Sequence, residues 1–295
     1  MFNDDLDGRV LGFDSDAAGQ NEKTAVDFGL TGKVAIVTGA TANIGRAIAL
    51  DFAGEGAKVA IVGRDVEAGT RVVQLALEKG AQAAVFIGAD LLDPTSPDRI
   101  LEEAAKLGPL HVLVNNVGGN AGLGLFVESD PASWQAHFDL TVTTMLRMTR
   151  AALPGMIERK AGRVINIGST AGLVGDYIMA IYSAAKAAVH GFTRVLAKEV
   201  GEHNITVNCV APYGTMSDDP TAFSTGSRFH PEHGRMLQAA KQFSPEVNAR
   251  RRRTGPLPRQ IAKPEEVSAA VLWLASSRAD FVTGQVISID GGTLL

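Results

Sequence analysis

Three side chains in the middle of the chain have the types and spacing for moving a proton at an oxygen atom. Tyr182 and Lys186 stand four positions apart in the run YSAAK, so a helix puts the phenol and the ammonium on one face. A free phenol, with a reference pKa of about 10, is a poor base near neutrality. A neighbouring ammonium favours the phenolate and lowers the cost of transferring its proton. Ser169, thirteen residues before Tyr182, closes the run GRVINIGS and offers a hydroxyl able to hold an alcohol or carbonyl oxygen. Taken singly each residue is ordinary, and a tyrosine–lysine pair at this spacing is commonly a helix-surface pair. What lends the three weight is the set of elements that carry them.

From residue 32 the chain alternates short β-branched runs with helical stretches. KVAIVTG, KVAIVGR, AAVFIGAD, HVLVNNVG, GRVINIGS, ITVNCVAP and QVISIDGG read as strands. Between them the spacing predicts helices over 44–55, 66–79, 97–106, 131–160, 180–201 and 265–276. That rhythm is the sequence form of an α/β fold, a doubly wound parallel sheet of about seven strands covered on both faces. It forms one Rossmann-type domain over 31–295. The segment 217–262 has no strong strand pattern and carries Pro220, Pro231, Pro245, Pro256 and Pro258. It follows a strand end on the ligand-binding edge of such a fold, which suits a substrate lid. A helical subdomain serving contact between subunits is the rival reading.

The turn TGATANIG, 38–45, follows the first strand and opens a helix. Gly39 permits a turn without a Cβ penalty, and Gly45 lets the helix start lie near a pyrophosphate held by backbone N–H groups. Thr41, Asn43 and Ile44 complete this candidate dinucleotide site; Asn43 tolerates left-handed dihedrals and serves either the turn or the ligand. At the end of the second strand, where an acid would bind the ribose hydroxyls of NAD, the sequence reads Gly63 and Arg64. A small residue followed by a cationic fork favours NADP(H) over NAD(H), with Asp65 one step further as the counter-indication. Asp90, with Leu91 beside it, either accepts from the adenine amino group or caps the next segment. Asn116 and Gly118 in NNVGG end a strand where the nucleotide would pass. With such a ligand, Lys186 gains a second use in holding the nicotinamide ribose, so that the reactive carbon faces the substrate.

Composition excludes several function classes. The 295 residues are 45% hydrophobic with a net charge of −4, which argues against non-specific nucleic-acid binding. The one basic run, Arg250 to Arg253, is either a solvated helix end or a seat for an anionic group. Cys209, the single cysteine, lies in an apolar strand and cannot form an internal disulfide. No window reaches 18 apolar residues, and the N-terminus opens on acids where a signal peptide needs bases. Work in a reducing, cytoplasmic compartment is expected, away from membranes. Residues 1–30 hold seven acidic and two basic side chains and read as an acidic N-terminal extension. The histidines are too irregularly spaced for a metal site, and none is expected.

Together these marks resemble a classical short-chain dehydrogenase/reductase over roughly 32–292. They are TGATANIG, Asp90, NNVG, Ser169, YSAAK, the proline of NCVAP (Pro212) and VTGQVISIDGG. The resemblance implies hydride transfer between NAD(P) and a small-molecule carbonyl or secondary alcohol. Tyr182 would be the acid–base group, Ser169 would orient the substrate oxygen, and Lys186 would hold ribose and lower the tyrosine pKa. It also implies a homotetramer, with 265–295 in part of the interface, and nicotinamide contacts near Pro212, Thr215 and Ser217. Three positions depart from the family pattern. Asn43 stands for a glycine, Tyr213 for another, and Thr141 for the asparagine that supports a water relay to the lysine. Thr143 or Thr144 would be the substitutes if the register shifts. These departures keep two other readings open: a nucleotide-binding sensor or scaffold with weakened catalysis, and an epimerase-type enzyme with no net redox change. Tyr177, Ile178, Met179, Phe223, Phe229 and Met236 line an apolar substrate pocket or belong to the core or an interface.

Overall fold

Val34 to Thr38 is a run of five buried residues bounded by polar turns, and it becomes an interior strand of the sheet. The computed structural model describes residues 27–295 except 229, 231, 233, 235–237 and 240. The first 26 residues of the expected extension, and the pocket candidates Phe229 and Met236, lie outside the described residues.

Seven strands form one sheet in the order β3-β2-β1-β4-β5-β6-β7, every pairing parallel. They are β1 (Val34–Thr38), β2 (Lys58–Gly63), β3 (Ala83–Gly88), β4 (Leu110–Asn115), β5 (Gly162–Ile167), β6 (Ile205–Pro212) and β7 (Val286–Ile289). The order reverses between β1 and β4, which opens a crevice at their carboxyl ends. Helices α1 (Asn43–Gly54), α2 (Val66–Lys79) and α9 (Pro264–Ala275) cover one face, with Ile48, Phe52, Val72 and Val271 in its core. Helices α3 (Ser96–Ala105), α5 (Thr144–Arg159) and α7 (Ala180–Val200) cover the other, around Ile100, Met148, Met156 and Leu196. Further helices are α4 (Pro131–Phe138), the one-turn α6 (Ala171–Val174) and α8 (Pro245–Arg251). Within 217–262 the described residues hold no strand, only an isolated bridge from Thr215 to Ala262.

The helix expected over 131–160 is interrupted. Asp139 to Thr143 form a π turn between α4 and α5. Such a turn inserts a residue without ending the helix, and it commonly marks a functional position.

Beneath the carboxyl edge, β4 and β5 are joined by side chains as well as by their ladder. Asn115 Nδ2 donates to Thr149 Oγ1 and to Asn166 Oδ1, both at 2.9 Å, and Asn166 Nδ2 donates to Thr193 Oγ1 at 2.9 Å. All four residues are buried, so each bond replaces water that cannot reach the groups. The chain ties β4, β5, α5 and α7 together directly below Ser169. Asn166→Ala would strand one partner on a strand, Asn115, and one on a helix, Thr193. It is expected to cost about 2–4 kcal/mol in urea unfolding, and a loss under about 0.5 kcal/mol would contradict this account.

Candidate active site

The turn after β1 is built on close contacts. Gly39 takes φ +62° and Asn43 takes φ +43°, the left-handed conformation that asparagine tolerates. A Cβ on Gly45 would stand 2.2 Å from the Gly39 carbonyl oxygen and 2.5 Å from Asn116 Nδ2. Glycine at position 45 is therefore required by the turn itself, a more immediate reason than room for a phosphate. Asn116 Nδ2 donates to Thr38 O at 2.9 Å and Gly39 O at 3.1 Å, so its amide ties β4 to the turn. The N-cap of α1, Ala42, has no capping side chain, which leaves the helix's first amides without a side-chain acceptor there.

Asn43 Nδ2 donates to Thr215 O at 3.3 Å, while its Oδ1 is buried without a partner. Thr41 packs beneath Gly63, where a Cβ would come within 2.5 Å of Thr41 Cγ2. Ile44 and Leu91 both pack their side chains against the hydrophobic cores. A cradle closed to any Cβ, uncapped helix amides and an orphaned buried acceptor fit a dinucleotide's pyrophosphate and its neighbouring sugars.

At the β2 end, Arg64 is largely exposed and its Nη1 stands 3.8 Å from Asp90 Oδ2. Asp90 Oδ1 accepts from Leu92 N at 3.1 Å, a turn-capping role. Asp65 is fully engaged. Its Oδ1 caps α2 by accepting from Ala68 N at 3.0 Å, and its Oδ2 accepts from the backbone (3.2 Å) and hydroxyl (2.9 Å) of Thr225. The Ala68 bond is the main reason its carboxyl sits below the usual range. Arg46 pairs with Asp219 at 3.2 Å, so the segment after β6 crosses the starts of both α1 and α2.

The three residues singled out for proton transfer converge. Ser169 follows β5, and Tyr182 and Lys186 lie in the first two turns of α7. A Cβ on Gly172 would meet the Lys186 carbonyl carbon at 2.6 Å, so this glycine lets the serine-bearing turn press against α7. Tyr182 is half-buried. Burial, and secondarily the charge of Asp176, push its phenol above the usual range, while a hydrogen bond with Ser169 acts in the opposite direction. Lys186 is 4% exposed; its Nζ donates to Ile167 O at 2.7 Å and stands 5.9 Å from the Tyr182 ring centroid. Burial pulls that ammonium down to about 8. The ammonium's expected lowering of the phenol pKa is thus not what governs it; loss of water around the ring comes first.

Gly118 separates Lys186 from Thr141. A Cβ there would stand 3.3 Å from Lys186 Nζ and 3.6 Å from Thr141 Oγ1. Thr141 is buried in the π turn and its Oγ1 accepts from Gly119 N at 3.5 Å. The alternatives are turned to their own helix: Thr143 donates to Asp139 Oδ1 at 3.2 Å and Thr144 to Leu140 O at 2.8 Å. Of the three threonines, Thr141 is the one beside the lysine.

At the end of β6, Pro212 O accepts from Thr170 N at 3.1 Å, joining the β6 and β5 edges. Thr215 Oγ1 donates to Tyr213 O at 3.4 Å, and Ser217 Oγ accepts from Asp219 N at 3.1 Å. Tyr213 lies under a later part of the chain. Its hydroxyl accepts from Arg253 N at 3.0 Å and its ring centroid is 4.5 Å below the Arg253 guanidinium. Ile178 and Phe223 are buried, and Tyr177 faces Arg250 at 5.9 Å. Asp176, Thr170 and Arg253 are the residues that sequence reading did not assign to the site. The only signal was the basic run 250–253, whose partner is remote in sequence.

A phenol, a hydroxyl and an ammonium beside a dinucleotide cradle can exchange a proton with a substrate oxygen while a bound nucleotide reacts at carbon. Comparison with known proteins agrees with that chemistry. The family model described as short chain dehydrogenase matches residues 33–225. The 2-(S)-hydroxypropyl-CoM dehydrogenase 3 of Xanthobacter autotrophicus is 38% identical over 264 residues, covering 89% of this chain and 97% of its own. A second protein of that organism, named inactive 2-(S)-hydroxypropyl-CoM dehydrogenase 2, is 39% identical over 238 residues, 80% of this chain and 95% of its own. The crystal structure of a short chain dehydrogenase from Mycobacterium paratuberculosis bound to NAD matches with a TM-score of 0.78 at 30% identity, covering 90% of this chain and 98% of that one.

The packing at Gly45 has a direct consequence. Gly45→Ala should force the turn away from α1 and weaken dinucleotide binding about tenfold or more in a fluorescence titration. Unchanged affinity would show that the cradle yields at little cost.

Proposed function

The chain belongs to the short-chain dehydrogenase family, and on that premise we propose that it interconverts a small carbonyl compound and its secondary alcohol with Tyr182 as the acid–base group. The observation that carries this reading is the convergence of Ser169, Tyr182 and Lys186 at one sheet edge, beside the glycine-lined turn. The relative named for a 2-hydroxypropyl group acts, by that name, on a secondary alcohol, which supports the same class here. A nicotinamide coenzyme, when bound, supplies or takes up the hydride. The first amides of α1 and the Gly39–Gly45 turn would hold its pyrophosphate, and Lys186 its nicotinamide ribose, with Pro212, Thr215 and Ser217 near the ring.

In carbonyl reduction the Tyr182 hydroxyl gives its proton to the substrate oxygen, and in alcohol oxidation the phenolate removes it. The Ser169 hydroxyl donates a hydrogen bond to that oxygen and fixes it against the phenol. Lys186 and Thr141 border Gly118 together, so a water between them would carry the proton onward from the site. The upward push on the phenol keeps it protonated at neutral pH, the form that carbonyl reduction consumes.

NADP(H) is the proposed coenzyme in preference to NAD(H). Arg64 is exposed at the β2 end, the Gly63 position has no room for an acid, and the Asp65 carboxylate is occupied by Ala68 and Thr225. A homotetramer using 265–295 is supported by the exposed Trp273, Phe281 and Leu295. Residues 217–262 would act as a lid, an assignment supported by the contacts of Asp219 and Thr225 with Arg46 and Asp65. A cytoplasmic setting is proposed with it; no described helix is long and apolar enough to cross a membrane.

A sensor or scaffold role is the second reading, favoured by the hydroxyl of Thr141 where an amide was expected and by the relative named inactive. Dinucleotide binding without turnover over a broad panel of ketones and secondary alcohols would select it. Conversion with no net change in coenzyme absorbance would select an epimerase-type reaction.

Two outcomes test the leading reading. Tyr182→Phe should lower kcat by about 1,000-fold or more, with dinucleotide affinity within about threefold of wild type. In the wild type, alcohol oxidation should accelerate as pH rises toward the phenol's elevated pKa, and carbonyl reduction should fall as pH passes it. A flat profile together with an active phenylalanine variant would remove Tyr182 from the chemistry. Arg64→Gln should weaken NADP(H) about tenfold while leaving NAD(H) nearly unchanged, and equal losses for the two would refute the phosphate contact.

A further inference from the structure

The turn that launches the tyrosine helix is held in an uncommon conformation. Ile178 adopts φ +62°, which is costly for a β-branched side chain and persists only where the surroundings impose it. Within this turn Met179 N donates to Asp176 O at 3.0 Å, Asp176 N donates to Ser183 Oγ at 3.2 Å, and Ile178 O accepts from Gly124 N at 3.0 Å. The Asp176 carboxylate is nearly buried, with its side chain 9% exposed. Across it lies a residue from the far end of the 217–262 segment. Arg253 Nη2 stands 2.9 Å from Asp176 Oδ1 and donates to Thr170 Oγ1 at 2.7 Å. Thr170 is the neighbour of Ser169, so one nitrogen bridges the serine turn and the turn that precedes Tyr182.

The guanidinium is itself immobilised. Its face covers the Tyr213 ring at 4.5 Å, its own backbone N–H donates to the Tyr213 hydroxyl, and Nε and Nη1 are buried without hydrogen-bond partners. With two of its donors unsatisfied, the guanidinium makes its polar side-chain contacts to Asp176 and Thr170 through Nη2.

We propose that Arg253 is a positioning residue for Tyr182: it clasps Asp176 to Thr170, fixes the turn that starts the tyrosine helix, and neutralises the carboxylate lying beside the phenol. This rests on Tyr182 being the acid–base group. The charged groups around the phenol are Asp176 and Lys186, and those around Asp176 are Arg253 and Arg251. A bare carboxylate next to Tyr182 opposes the phenolate, by the same Coulomb repulsion that raises a phenol's pKa beside any anion. With Arg253 in place, the phenolate forms beside an ion pair instead of a net negative charge. Seating of the 217–262 segment is thereby linked to the ionisation of the group doing the chemistry.

The test is an ultraviolet phenolate titration of the full chain, with the spectrum of Tyr182→Phe subtracted so that Tyr182 alone is followed. Arg253→Gln should move its midpoint up by about half a pH unit or more, Asp176→Asn should move it down, and the double variant should match Asp176→Asn. With the best secondary alcohol from the substrate panel, Arg253→Gln should lower kcat about threefold or more below the midpoint. Coenzyme KM should stay unchanged, and Arg253→Lys should recover most of the loss. A midpoint unmoved in Arg253→Gln, or an upward shift that persists in the double variant, overturns the proposal while leaving the role of Tyr182 standing. Turnover surviving in Tyr182→Phe would remove that role, and the proposal with it.

Discussion

Parallel pairing of all seven strands sends every strand's carboxyl end to the same edge, because each connection must climb back along the sheet before the next strand begins. Residues far apart in the chain therefore meet there without further design: the Gly39 turn after β1, Asn116 after β4, Ser169 after β5 and Tyr213 after β6. The reversal of order between β1 and β4 opens the crevice at that edge. One buried bond then pins α7 to it, from the Lys186 ammonium to the Ile167 carbonyl at 2.7 Å. The carbonyl is the last of β5, so the register of α7 is set from the same strand that presents Ser169.

Burial governs the electrostatics of the edge more than any single neighbour. Desolvation drives the Tyr182 phenol and the Lys186 ammonium in opposite directions, each toward its neutral form. The phenol therefore holds its proton more tightly than the lysine does, which leaves it loaded for donation to a substrate oxygen. His190, one turn beyond Lys186, is pulled down to about 4 and the Cys209 thiol is pushed up to about 12, so both stay uncharged behind the site. Burial raises the Asp176 carboxyl above its usual range as well, and the charge of Arg253, from a different part of the chain, opposes that push.

Close backbone approaches complete the design. Gly45, Gly63, Gly118 and Gly172 each sit where a Cβ would press on a residue of the site, namely Gly39 and Asn116, Thr41, Lys186 with Thr141, and the α7 backbone. Their absence of a side chain is a packing requirement and only secondarily a conformational one. Small residues bring the β1 turn, the β4 end and the elements that carry Ser169 and Tyr182 into one layer.

The fold class, the strand and helix sequence, and the trio Ser169, Tyr182 and Lys186 were legible in the chain itself. Short β-branched runs, helical periodicity and an i, i+4 spacing are local patterns, and local geometry carries them directly into structure. The π turn at 139–143 left no comparable mark, since an inserted residue changes neither composition nor periodicity enough to read. Counting along the chain pointed to Thr141, with Thr143 and Thr144 as substitutes, and the turn's geometry stands Thr141 beside the lysine while turning the other two to their own helix. The same holds for Asp65, whose carboxylate looked free for a ribose until Thr225 was found on it. Arg253 read as part of a basic run that was either solvated or a seat for an anionic ligand, and it is folded against Asp176, Thr170 and Tyr213. Contacts of that kind join residues separated by large parts of the chain. They are decided by how the layers pack, and no pattern within a short window can encode them.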